Sequence, residues 1–269
     1  MGSKQPWLGY MPPFKVWGNL YFVGTNPAST HIIDTGKGLI MLDSGYQHSL
    51  YLVLHNMYTL GLNPMDIKYI VHTHGHIDHC GATKALVEMT GAKTFIGEPD
   101  RDYINGTLDL SWAKELDLYM ETFEPDVLLQ DGDEISLGNT TLKAVATPGH
   151  TPGAMSYLFN VACGDRTLTA GLHGGAGVNT LQREFLDRYG LSDSCRTDYI
   201  CSMDRLMPLK VDIYLGNHAY QSDTAAKYQQ LLAGNTDAFV DPAGWASFAE
   251  GCKKRVLTLM EQEKEGNVK

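Results

Sequence analysis

One hexapeptide limits what this chain can become. His74-Gly75-His76-Ile77-Asp78-His79 sets three imidazoles and a carboxylate within six residues, directly after the apolar run Tyr69-Ile70-Val71. Such a run reads as a short buried strand, so the cluster lies on a loop at a strand end. Imidazole nitrogen and carboxylate oxygen suit Zn²⁺ and other first-row divalent ions. A catalytic metal takes ligands from several segments, so the fold has to bring further donors to the same edge. Two downstream histidines stand in matching places. His150 lies in Thr147-Pro148-Gly149-His150-Thr151-Pro152-Gly153, where proline and glycine fix a turn that presents one side chain. His218 follows the run ending in Leu215-Gly216-Asn217.

The other histidines carry weaker patterns. His48 and His55 are expected exposed on a helix. His31 alternates with apolar neighbours and reads as a satisfied core or edge histidine. His72, just before the cluster, reads as structural or as a support behind the ligands. His173, in Gly171-Leu172-His173-Gly174-Gly175, is a candidate for the pocket.

Strand and helix signals alternate along the chain. Leu20–Val23, His31–Ile33, Leu39–Leu42, Tyr69–Val71 and Thr94–Ile96 read as strands bounded by Gly, Asn, Pro and Asp. Apolar residues at Leu50, Val53, Leu54 and Met57, and again at Ala82, Ala85, Leu86 and Met89, mark amphipathic helices. Residues 98 to about 124 are polar and aromatic and read as helical excursions over one face. Strands resume at Val127–Leu129, Glu134–Leu137, Thr141–Val145, Met155–Phe159 and Thr167–Ala170, with Gly138-Asn139 at hairpin spacing. A helix over Asp198–Leu206, a strand over Val211–Leu215, a helix near 223–232 and a final helix starting at Asp241-Pro242 complete the pattern. Two runs of strands, each with helices, predict an α/β (α+β) chain. Its two sheets pack face to face with helices outside, in one domain over 1–269.

Composition narrows the partners. Lys plus Arg is 21 against 31 Asp plus Glu, a net charge of −10, which disfavours nucleic acid because phosphate neutralisation needs clustered cations. No stretch reaches the ~18 apolar residues of a membrane span. A small-molecule substrate remains. Five cysteines, none in a CxxC pair, make a disulfide framework unlike this chain. Met1 to Trp7 holds no apolar signal region. The expectation is therefore a cytoplasmic protein, with a periplasmic or secreted one left open if a signal peptide is gone and Gly2-Ser3 is an added scar. Trp7, Tyr10, Phe14 and Trp17 read either as packing across the sandwich or as a flap over the site.

The hexapeptide and His150 resemble the metallo-β-lactamase superfamily, and the resemblance extends to the third subclass of class B (zinc) β-lactamases. Asn19 to Thr25, Leu42-Asp43-Ser44-Gly45, Leu60 to Ile70, Thr147 to Gly153 and Ala238 to Trp245 carry it. It implies an αββα sandwich with two mixed sheets and a two-zinc site at one edge. One Zn²⁺ falls to His74, His76 and His150, the other to Asp78, His79 and His218. Other hydrolases of the superfamily bridge two metals with an aspartate after the next strand. That place here reads Thr169-Ala170-Gly171-Leu172, and Asp165 sits in an earlier turn. The implied chemistry is hydrolysis of a carbonyl bond by water whose pKa the metals lower to about 7, with Asp78 as the catalytic residue that orients it. β-Lactamase-like amide hydrolysis is the first expectation. A lactone, a thioester or another amide is the alternative, because the serines that hold the lactam carboxylate are replaced by Gly171-Leu172-His173. His173 is the candidate substitute donor. A purely structural zinc site would favour cysteines. Cys80 reads as a buried inert thiol or one within reach of zinc. Cys252 resembles half of a subclass disulfide whose other half falls near Val211, so no bridge is expected.

Overall fold

The computed structural model describes residues 4–266, and Gly2-Ser3 lies outside the described residues. The first sheet runs in chain order: β1 (Phe14–Trp17), β2 (Leu20–Phe22), β3 (His31–Asp34), β4 (Leu39–Leu42), β5 (Ile67–Val71), β6 (Lys93–Gly97) and β7 (Val127–Leu129). β1 to β4 pair antiparallel and β4 to β7 parallel. The connections cause the change. Tight turns link the antiparallel strands, whereas parallel neighbours need crossovers. Those crossovers carry α1 (Leu50–Thr59), the single turn α2 (Ile77–Cys80), α3 (Thr83–Thr90) and the short α4 (Arg101–Ile104).

The second sheet has the order β12-β11-β10-β9-β8, from β8 (Glu134–Leu137), β9 (Thr140–Ala146), β10 (Met155–Cys163), β11 (Arg166–Leu172) and β12 (Ile213–Leu215). Hairpins join the first four antiparallel. β12 returns parallel to β11 after α5 (Arg183–Tyr189) and α6 (Ser194–Leu206). α7 (Thr224–Leu232) and α8 (Gly244–Lys264) follow.

Period-two alternation explains the layers. In β3 and β4, Ile33 and Leu42 face the second sheet and join Phe22, Val71, Leu142, Tyr157 and Leu215 in the central core. Their neighbours Ile32 and Met41 face the other way, against Val53, Met57 and Leu86 of α1 and α3. Both faces are covered, which is why these strands are continuously apolar. On the far side, Tyr199, Met203 and Leu206 of α6 pack with Trp245, Cys252 and Val256 of α8 over Val145 and Tyr214. This is the expected αββα sandwich.

Several local expectations change. Phe14 and Trp17 form β1 and enter the core, while Trp7 and Tyr10 are exposed. The stretch 98–124 holds only a 3-10 turn (Glu98–Asp100) and α4; the rest is irregular chain closed over Tyr103, Ile104, Leu110 and Met120. The last helix starts at Gly244, whose N–H donates to Asp241 Oδ1. His48 lies half-buried on a 3-10 turn; only His55 is exposed on a helix. His31 is buried, but its Nδ1 has no hydrogen-bond partner, so it is a core residue without being satisfied.

Candidate metal centre

The hexapeptide begins where β5 runs out. His72 N–H still bonds to Phe95 O in β6, and Met155 N–H reaches across to Thr73 O. After Thr73 the chain leaves the sheet and turns into α2. Gly75 is required there, since a Cβ would stand 2.8 Å from Tyr103 Cβ. His150 comes from the other sheet, on the turn between β9 and β10.

These segments converge. The donor atoms of His74, His76 and His150 lie within 4.8 Å of one another, and all three residues are buried. His74, Asp78 and His79 make a second such group. His218, after β12, stands beside it, with Nε2 3.7 Å from Asp78 Oδ2 and its ring 5.3 Å from that of His79. The six residues singled out from the sequence are thus brought to one seam between the sheets.

Hydrogen bonds behind the rings decide which nitrogen faces inward. His79 Nδ1 donates to Asp43 Oδ2 (2.8 Å), so Nε2 is the free nitrogen. Thr73 Oγ1 donates to Asp43 Oδ2 and is left to accept from His74 Nδ1 and Asn217 Nδ2. His150 Nδ1 donates to Gly177 O, and His218 Nδ1 to Pro27 O. Nε2 of His74, His79, His150 and His218 therefore faces the seam, as does Nδ1 of His76.

The electrostatics separate His79 from the other rings. Burial, then the neighbouring histidines, holds His74 and His76 well below the usual imidazole range, and burial holds His150 at about 4. These rings are neutral at neutral pH. Burial alone would lower His79, but the Asp78 and Asp43 carboxylates outweigh it and hold it at about 10. Burial would likewise raise Asp78, yet the facing His79 keeps it ionised far below the ordinary carboxylate value.

The donors fit a pair of divalent cations. His150 Nε2 and His76 Nδ1 face each other at 3.0 Å. Two neutral imidazoles hold that approach only through a shared proton or a cation between them. His79 Nε2 is buried without a hydrogen-bond partner, 3.2 Å from Asp78 Oδ2. Without a metal the proton that His79 carries joins it to the ionised Asp78, and a divalent ion would take the place of that proton.

A cavity of about 210 Å³ opens beside His76 and His150, lined by Tyr103, Leu110, Pro152, Phe185, Leu191, Ser192, Cys195 and Asp198 among others. No lysine or arginine lines it. The Trp112 ring lies 5.8 Å from that of His76, on a backbone with φ of 66°, rare for so bulky a residue.

His173 is a correction. It is buried, its Nδ1 bonded to Gly174 O and its Nε2 3.4 Å from Met203 Sδ, with the ring packed on Trp245 and Phe248. It faces the α6–α8 layer, because β11 alternation gives the inward face to Leu172. Asp165 sits in the turn at the opposite end of β11 from Leu172. Cys80 is buried and donates to His76 O, and burial pushes its thiol pKa up. His72 bonds Phe95 O and Thr83 Oγ1, a structural role.

Asp43, Thr73, Trp112 and Asp100 were not singled out. Asp43 had a signal in Leu42-Asp43-Ser44-Gly45, a polar turn straight after an apolar strand. Trp112 had none, lying in irregular chain.

Two mixed sheets between helix layers, with histidines from both sheets meeting at one edge, define a metal-binding αββα sandwich. The chain belongs to the metallo-beta-lactamase superfamily, whose family model matches residues 23–162. It is similar to BJP-1, a subclass B3 metallo-beta-lactamase of Bradyrhizobium japonicum, at 27% identity and TM-score 0.87 over 99% of each chain. The FEZ-1 metallo-beta-lactamase from Legionella gormanii is 29% identical, with TM-score 0.86 over 94% of this chain and 97% of that one. A probable polyketide biosynthesis zinc-dependent hydrolase of Bacillus subtilis is 31% identical over 42% of this chain and 44% of its own length. The chain thus spans less than half the length of the first curated relatives it matches. Among the described residues no helix is long and apolar enough to cross a membrane, and all five cysteines are free.

Proposed function

We propose that the chain is a dizinc hydrolase of a carbonyl bond, acting within one domain over 1–269. The observation that carries this is the pair of donor groups sharing one seam beside an open cavity. His74, His76 and His150 hold one ion; Asp78, His79 and His218 hold the other. When bound, the ions supply Lewis-acid polarisation of a carbonyl and a water acidified to a pKa of about 7. Asp78, held ionised beside His79 and His218, would orient that water. Asp43 and Thr73 keep His79 and His74 in the ligating tautomer. The cavity walls of Tyr103, Leu110 and Phe185 bind the acyl portion and exclude water.

The subclass B3 likeness makes a β-lactam amide the first substrate class. A second class, a lactone, thioester or other amide, is favoured by one observation: no cation lines the cavity, and His173 turns away from it. The curated relatives include a hydroxyacylglutathione hydrolase of Francisella philomiragia, 31% identical over 44% of this chain. Five free cysteines favour a reducing, cytoplasmic compartment.

The test is steady-state hydrolysis of a chromogenic cephalosporin, a carbapenem, a lactone and a thioester by zinc-loaded protein, with His150→Ala and Asp78→Ala as controls. A lactam kcat/KM above ~10⁴ M⁻¹s⁻¹ supports a dedicated lactamase. A lower value, with the lactone or thioester above it, selects the second class. No turnover of any of them, with two ions bound, overturns the hydrolase reading.

A further inference from the structure

One buried carboxylate takes no part in the chemistry above. Asp100, the last residue of the 3-10 turn between β6 and α4, is 0% exposed. Its Oδ2 accepts from Gly75 N–H at 2.8 Å and from Thr151 Oγ1 at 2.6 Å; its Oδ1 accepts from Gly153 N–H at 2.6 Å. Gly75 lies between His74 and His76. Thr151 adjoins His150. A single side chain therefore bonds the ligand loop of the first sheet and the ligand loop of the second.

The packing around it leaves no slack. A Cβ on Gly153 would stand 2.5 Å from Asp100 N, and one on Gly97 would stand 2.0 Å from Gly153 O. With both loops pressed against the end of β6, the length and direction of the Asp100 side chain pass directly to the facing His76 and His150 rings.

Stability alone does not account for this residue. No lysine, arginine or histidine forms an ion pair with it among the described residues. Burial pushes its pKa up to about 6 even though three donors pull it down. A buried carboxylate without a cation costs folding energy at neutral pH. What it returns is geometry: Oδ2 is shared by the two loops, and Oδ1 is held by the second.

The geometry points to Asp100 as a positioning residue that sets the His76–His150 separation, and through it the affinity of the His74–His76–His150 group for its ion. This rests on the ligand assignment proposed above. Supports behind metal ligands are typically worth 10–100-fold in metal affinity.

The test uses the full chain, stripped of metal and titrated with Co²⁺ or Zn²⁺ against a competing chelator. His150→Ala marks which Co²⁺ visible band belongs to the three-histidine group. Asp100→Asn is expected to weaken that ion by about 10–100-fold and shift its band, while the other ion stays within about threefold. Either oxygen position of Asp100 meets a fixed backbone N–H, so stripped Asp100→Asn should melt lower than the parent, whereas stripped Thr151→Val should stay within a few degrees of it. Thr151→Val, which removes one of the three bonds, should give a smaller loss at the same ion, and it carries the test should Asp100→Asn fail to fold. Equal weakening of both ions in step with a lowered melting temperature overturns the proposal, as does no change at either. Wild-type protein that binds no metal overturns the ligand assignment instead.

Discussion

Asp43→Asn replaces one atom, yet the structure predicts a large effect at a nitrogen it does not touch. Asp43 Oδ1 accepts from the backbone N–H of Thr73 at 2.7 Å. Its Oδ2 accepts from Thr73 Oγ1 and His79 Nδ1, both at 2.8 Å. An asparagine cannot place its NH₂ at the Oδ1 position, because a fixed backbone N–H would meet it head on. The NH₂ must take the Oδ2 position. His79 Nδ1 then faces a donor, so its proton moves to Nε2, the atom aimed at the seam. The Thr73 hydroxyl loses its acceptor and turns to His74 Nδ1, inverting that ring as well. A protonated Nε2 cannot ligate. The expected loss is about 10–100-fold in affinity for the ion on His79, or about 1.4–2.7 kcal/mol. One buried donor left without an acceptor adds ~1–3 kcal/mol of instability, and each kcal/mol lowers Tm by about 2–4 °C in a chain of this size. Zinc titration against a fluorescent chelator measures the first quantity. ¹⁵N-histidine spectra of the zinc-loaded protein read which ring nitrogen keeps its proton. Wild-type affinity for both ions, with the proton still on His79 Nδ1, would refute the reasoning.

Three further outcomes follow from other parts of the fold. Burial lowers His31 from 6.5 to about 4, so the folded state resists its protonation, and the stability this residue allows above pH 6.5 is lost as pH falls towards 4. At 1.36 kcal/mol per unit this is a loss of about 2 kcal/mol between pH 7 and 5. His31→Leu should lose that much less in urea unfolding at the two pH values, and an identical pH slope would count against it. Gly175→Ala places a Cβ 2.1 Å from His150 Cδ2, so it should displace the ring and cut zinc stoichiometry by one ion in metal analysis; two tightly bound ions would contradict this. Trp245 is 1% exposed and donates Nε1–H to Leu206 O. Trp245→Ala should cost about 3–5 kcal/mol in denaturant unfolding without altering metal content.

Much of the fold was readable because its strands are short, apolar and punctuated. Leu39–Leu42, Val127–Leu129 and Glu134–Leu137 occur with the boundaries their patterns predict. The layer order was readable from two separate runs of strands. β1 was missed because Phe14–Trp17 follows Pro12-Pro13 and pairs through only one neighbour. The helical reading of 98–124 holds only over Glu98–Ile104, because beyond it tertiary closure around Tyr103 and Met120 outweighs local propensity. At the site, residues with a distinctive side chain in a dense motif were legible. Those acting through hydrogen bonds to backbone, such as Asp100 on Gly75 and Gly153, were not, because nothing in their own segment says which loops lie above them. His173 misled for the opposite reason. It has the right chemistry one residue past β11, but strand parity turns it into the helix layer.

The placement of the donors across the two sheets makes the metal a clasp as well as a reagent. His74, His76 and His79 hang from the end of β5, His150 from the β9–β10 turn, and His218 from the end of β12. An unfolded or half-assembled chain offers no such set. Free metal at 100 times its dissociation constant therefore adds about 2.7 kcal/mol to the folded state by mass action alone. Scarcity of metal then does two things at once: it silences the centre and loosens the joint between the halves of the sandwich. Exposure to degradation would rise as the ion is withdrawn, so the amount of this protein in a cell would track its metal supply.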